Sequence, residues 1–157
     1  MTKIKILLGF SICSALMNLF HLAMQVILFD FWKNFNNKRS EDFFFGKSSW
    51  LIQNVLSFIL LLGTIYICIA LFRILKNGYF NMRTSNSFRV GGRFLCLVAI
   101  LSMILVALDA TITNHFGNLT TAIITNMLLF LMGFGILTIS QIIKNGLLLK
   151  QENDLTI

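Results

Sequence analysis

Asp109 is the one carboxylate set inside an apolar run of this chain, and an ionisable group in such a place is costly enough to mark a working position. Gln25, Asn54, Asp109, Thr125 and Asn126 each fall roughly four to six residues from the same end of their runs, about 6 to 9 Å below that boundary at 1.5 Å per residue. His21 lies one turn deeper than Gln25. His21, Gln25, Asn54, Asp109 and Asn126 therefore make a candidate polar pocket open to the outer face, suited to taking up a proton or a small polar ligand. The plainer alternative is that Asp109 snorkels to the nearby interface or caps a helix end.

Other chemistries find less support. His21 and His115 are the only histidines, at different expected depths, and no His or Cys pair has metal-ligand spacing, so neither a metal nor another cofactor is expected. Cys13, Cys68 and Cys96 share a depth near the opposite ends of their runs, which fits a thiol sensor or a lipidation site. Cysteine is also an ordinary small apolar residue in a helix, and packing is the favoured role. There is no phosphate-cradling glycine loop, no HExxH, no nucleophile elbow and no carboxylate pair apart from Glu41 and Asp42. The expectation is a protein that is not an enzyme.

The elements that would position such a pocket follow from composition. With 57% hydrophobic and 12% charged residues, the chain has far less charge than a soluble domain, which carries about a quarter. Proline is absent, so nothing cuts a helical hydrogen-bond ladder. Four runs, roughly 6–29, 50–72, 94–113 and 120–143, approach or exceed the ~20 residues needed to cross a hydrocarbon core. They predict an all-α integral membrane four-helix bundle, one domain over residues 1–157, with a polar tail from 144 to 157.

Lys3, Lys5, Arg73, Lys76, Arg83, Arg89, Arg93, Lys144 and Lys150 flank one side of these runs, and far fewer cations flank the other. By the positive-inside rule both termini are expected to be cytoplasmic. The net charge of +7 reads as topology and attraction to anionic lipid rather than direct nucleic-acid binding, since no basic face forms between the runs. The outer loop, with Phe31, Trp32, Phe35, Phe43, Phe44, Phe45 and Trp50, suits an interfacial belt.

Small and polar residues mark the protein-facing sides of membrane helices. They align as Ser11, Ser14, Asn18, His21 and Gln25 in the first run, and as Gln53, Ser57, Thr64 and Cys68 in the second. The third has Ser102, Asp109 and Thr113, and the fourth Asn126, Gly133 and Ser140. The depths of these groups predict a bundle that is polar toward the outside and dry toward the cytoplasm. Helix two is expected to run to Asn77 and end on a left-handed Gly78, with Ser or Asn from "NMRTSNS" capping helix three.

The stretches "LFRILKNGYFN", "FRVGGRFL" and "IIKNGLLLKQENDLTI" resemble the small bacterial four-helix membrane proteins of domain of unknown function 2975, over essentially the full chain. The resemblance implies four spans and no chemistry. Its genes often neighbour a small helix-turn-helix protein, which implies a membrane partner that holds or releases a transcription factor. On that expectation Arg83, Arg89 and Arg93 contact lipid phosphates or the partner, while Glu152, Asn153, Asp154 and Leu155, with Ile157, offer it acidic and apolar contacts; equally, the tail folds back on Arg83 or Arg89 and completes the bundle. The alternatives are a transporter or channel subunit, assembled as a homo-oligomer, a proton or small-ligand sensor around Asp109, and a redox protein using the three thiols.

Overall fold

The structure, a computed structural model, describes residues 2–27, 46–78, 81–113 and 119–154. Four helices account for nearly all of them: α1 (Thr2–Ile27), α2 (Gly46–Asn77), α3 (Met82–Thr113) and α4 (Leu119–Asp154). Each is long and apolar enough to cross a membrane. Phe10, Leu131 and Met132 are among many large apolar side chains that project outward, as a hydrocarbon solvent permits. The fold is the all-α, four-helix membrane architecture expected from the sequence.

The helix boundaries have local causes. Gly78 takes φ 82°, and its N–H donates to the Ile74 carbonyl at 3.0 Å, closing α2 as expected. Asn81 then caps α3. Its side-chain oxygen accepts from the Arg83 N–H at 2.9 Å, and its carbonyl accepts from Thr84 and Ser85. Capped there, α3 begins twelve residues earlier than the apolar run at 94 suggests. The tail expected from 144 is likewise helical as far as Asp154.

Glycine sets how closely the helices approach. Gly91 and Gly92 are adjacent in α3, so their Cα positions point about 100° apart around the axis. One faces α2, where a Cβ on Gly91 would stand 3.0 Å from the Gly63 carbonyl oxygen. The other faces α4, where a Cβ on Gly92 would stand 2.9 Å from the Gly133 carbonyl oxygen. Backbones this close need small residues, the usual device where lipid supplies no hydrophobic drive between helices. Thus α3 is held between α2 and α4, while α1 packs along α2.

The half-buried residues of α1 are Ile4, Leu8, Ser11, Ala15, Asn18, Leu22 and Gln25, alternating at four and three as in a coiled-coil seam. Ser11, Asn18 and Gln25 therefore face protein as expected. Ser14 and His21 do not, and are exposed beside the seam. In α2, Ser57, Thr64 and Cys68 are half-buried, whereas Gln53 is exposed. In α3 Ser102 is half-buried, and in α4 Asn126 is half-buried and Gly133 and Ser140 are buried, as expected.

All four helices meet in one apolar cluster of Ala70, Leu71, Ile74, Phe88 and Ile143, with Ile4, Leu8, Ile67 and Ile136 against it. It lies toward the end that carries the α2–α3 connection. The expectation that this end is dry is overturned: Thr84, Ser85, Ser87 and Ser140 are all buried there. The reason is that α3 starts at Met82, so "TSNS" occupies its first turns in among the neighbouring helices. The loop aromatics between 31 and 45, and the residues His115 and Asn118, lie outside the described residues.

Candidate functional site

The polar groups expected at the outer end are only partly brought together. Ser11 Oγ lies 3.0 Å from Cys68 Sγ, which fixes the antiparallel register of α1 and α2. Fourteen residues further in α1 and fourteen earlier in α2, that register sets Gln25 level with Asn54. Both are half-buried. The Gln25 amide nitrogen stands 3.2 Å from His21 Nε2, one turn away on the same helix, and Gln25 Oε1 is buried with no hydrogen-bond partner among the described residues.

Gly63 packs against Phe94 Cβ at 3.1 Å, so Asn54, nine residues earlier in α2, is level with Met103 in α3. Asp109 is six residues beyond that, about 9 Å further toward the end of α3. Its side chain lies outside the described residues, as does Thr113. Gly92 against Gly133 similarly sets Asn126 level with Ala99, about 6 Å to the other side of Met103. The five expected pocket residues thus spread along the helices. Gln25 and Asn54 share a level, and Asp109 and Asn126 lie above and below it.

The denser polar constellation is at the opposite end, where the sequence marked Ser140 as protein-facing but Arg73 and Arg83 only as flanking or surface cations and the serines of "NMRTSNS" only as caps. Ser85 Oγ donates to the Ser140 carbonyl at 2.8 Å, Ser140 Oγ donates to the Ser85 carbonyl at 2.9 Å, and the two oxygens are 3.2 Å apart. Arg73 Nη1, from the last turn and a half of α2, donates to the Arg83 carbonyl at 3.0 Å and to Ser87 Oγ at 2.6 Å; Ser87 in turn donates to the Arg83 carbonyl. Thr84 Oγ1 is fully buried among these groups with no hydrogen-bond partner among the described residues. The guanidinium thereby ties the end of α2 to the start of α3, and the serine pair ties α3 to α4. The adjacent glycines of "RVGGRF" were the available signal for this close approach of helices.

The expected lipid or partner contacts that the structure describes are on the surface. Arg83, Arg89 and Arg93 are exposed on α3, and Glu152 and Asn153 are exposed near the end of α4. The Asp154 side chain and Leu155 lie outside the described residues. Cys13 is exposed, Cys68 is the partner of Ser11, and Cys96 Sγ fits against Gly133, 3.9 Å from the Phe130 carbonyl. Cys68 and Cys96 thus both sit in contacts between helices. Among the described residues no three His, Cys, Asp or Glu side chains group to hold a metal.

No curated protein and no solved structure matches the chain. A family does match, over residues 51–157, which takes in the bodies of α2, α3 and α4 with the glycine contacts and the serine pair; the likeness is therefore narrower than the full chain, leaving out α1. On that match the chain belongs to the family described as Protein of unknown function (DUF2975).

Proposed function

We propose that this multi-pass membrane protein is a non-enzymatic regulatory partner that holds a small helix-turn-helix transcription factor at the cytoplasmic face of a bacterial inner membrane. The observation that carries it is the length of α4. At about 54 Å, this helix far exceeds a hydrocarbon core of about 30 Å. Ten residues follow Lys144, so a helical arm extends about 15 Å past the basic level. Leu148 and Leu149 are exposed on it, with Glu152 and Asn153 beyond. Apolar anchors beside acidic and amide groups complement a basic soluble domain. The buried serine pair and Arg73 give the arm a rigid base.

The cytoplasmic placement of this end rests on its excess of Lys and Arg. Affinity purification of the full chain from membranes of the encoding bacterium should recover a helix-turn-helix protein. Removal of residues 151–157, or Leu149→Asp, should abolish that recovery while the chain stays in the membrane. Absence of any DNA-binding protein from the wild-type sample sinks the proposal.

A second reading, a transporter or channel subunit or a small-ligand sensor, is favoured by the buried Gln25 oxygen at the level of Asn54. Ion flux in proteoliposomes that disappears with Gln25→Leu or Asp109→Asn would support it, and the absence of flux in the wild type would remove the transport form.

A further inference from the structure

The basic residues of the four helices define a plane. Lys76 and Arg73 of α2 flank Arg83 of α3, to whose carbonyl Arg73 donates. The Ser11–Cys68 register brings Lys3 and Lys5 to the same level, and the Ser85–Ser140 register brings Lys144 there. Arg89 and Arg93 lie deeper than this plane, within the apolar length of α3. Arg93 lies between Gly92, packed on the Gly133 carbonyl, and Phe94, packed on Gly63. Gly63 is thirteen residues from Lys76 and eleven from Ile52, the two ends of the apolar window of α2, so Arg93 sits about 16 to 20 Å from either end of that window. That is the middle of a hydrocarbon core of about 30 Å. Arg89 lies one turn nearer the basic plane.

Both side chains are exposed and turned away from the neighbouring helices, on the face that continues with Leu97, Ile100 and Ile104. Neither makes a hydrogen bond or ion pair among the described residues. Among the described residues the helices offer no counter-ion at that depth: Glu152 lies beyond the basic level in α4, and Asp109, in the same helix as Arg93, is about 24 Å from it. A charge left unpaired in hydrocarbon is not stable.

We infer that Arg89 and Arg93 form an intramembrane anion site that draws the phosphate of an anionic phospholipid below the headgroup plane. Side chains on a helix tilt toward its N-terminus, which for α3 is the basic end, so both guanidiniums lean toward the phosphates. Arg89, about 9 Å above Arg83, snorkels to them directly. Arg93, about 15 Å above Arg83, reaches only the level of Arg89, so it is satisfied when a phosphate comes in to meet it. Two guanidiniums one turn apart present paired donors to the phosphate oxygens. The exposed Leu97, Ile100 and Ile104 on the same face continue past the arginines as a bed for the acyl chains. A second copy docked through this face would oppose like charges, so a lipid is the fitting occupant.

The inference does not rest on the regulatory reading and is tested on the chain alone. The full-length protein is reconstituted in vesicles of phosphatidylcholine with one tenth phosphatidylglycerol, extracted mildly, and its co-purifying lipid is counted by mass spectrometry. Phosphatidylglycerol should be enriched roughly tenfold over the bulk ratio. Arg93→Gln and Arg89→Gln should each cut that enrichment severalfold, Arg93→Lys should restore part of it, and Lys150→Gln, outside the site, should leave it unchanged. Circular dichroism of each variant separates loss of lipid from loss of fold. Equal enrichment in the wild type and in a folded double Gln variant overturns the inference. Displacement of the lipid by millimolar inorganic phosphate identifies a free anion as the ligand, and so overturns the lipid assignment.

Discussion

Ser85 and Ser140 exchange hydroxyl-to-carbonyl hydrogen bonds across the α3–α4 contact, each donating to the other's backbone. The symmetry of the pair means that each hydroxyl is satisfied only while the two helices keep this register. A slip of α4 by one residue would leave both donors unpaired, a cost that falls away only when both serines are replaced by alanine.

Ser85→Ala and Ser140→Ala should each lower stability by about 0.5 to 1.5 kcal/mol, the range for interhelical hydrogen bonds in membranes. The double variant should fall short of the sum by a few tenths of a kcal/mol, because the hydroxyl oxygens are also 3.2 Å from each other. Unfolding titrations in mixed micelles measure all three.

Glycine substitutions should divide by contact rather than by helix. A Cβ on Gly133 would stand 2.9 Å from the Cys96 backbone nitrogen, and one on Gly92 would stand 2.9 Å from the Gly133 carbonyl. Backbone cannot give way cheaply, so Gly133→Ala and Gly92→Ala should each cost about 1 to 3 kcal/mol. Gly135→Ala, with nothing within 4 Å of the new methyl, should be neutral or mildly stabilising through helix propensity. Thermal denaturation in detergent distinguishes the two groups, and a Gly135→Ala loss equal to that of Gly133→Ala would show that contact is not the cause.

Gly78→Ala isolates a backbone term. The position has φ 82° and no neighbour within 4 Å of an added methyl, so the only penalty is the left-handed conformation, about 1 kcal/mol. Gly78→Asn should recover part of it, since asparagine tolerates that region. The same denaturation assay compares them.

These contacts show what could be read from the chain and what could not. Four spans followed from apolar length alone, because the bilayer fixes the length of a crossing helix. Gly78 and Asn81 were legible because helix ends have local chemistry. The stripe of α1 was half legible: Ser11, Asn18 and Gln25 turn inward, but the seam also uses Ile4, Leu8, Ala15 and Leu22, which in an apolar solvent look no different from lipid-facing residues. The burial of the polar first turns of α3 has no signal in hydropathy, which locates the oily part of a helix and ignores polar residues that neighbouring helices cover. The Ser85–Ser140 pair lies in that part of α3. Helix register, on which any shared level of Gln25, Asn54 and Asp109 depends, is a property of pairs of helices and has no signal in one helix read alone.

The α1–α2 register can be tested by covalent capture. Ser11 Oγ is 3.0 Å from Cys68 Sγ, and the sulfur of Ser11→Cys would replace that oxygen at a distance close enough for a disulfide bond of about 2.05 Å to form with a small shift. Mild oxidation of the Ser11→Cys protein should join α1 to α2. Trypsin cleavage between Lys33 and Lys47 would then leave the two fragments linked until a reductant is added. Cys13, two residues away and exposed, serves as the internal control, since the wild-type chain carries it together with Cys68 and should release its fragments without reductant. Linked fragments in the wild type, or none in Ser11→Cys, would mean that α1 does not lie on α2 in this register. Gln25 and Asn54 would then no longer be level.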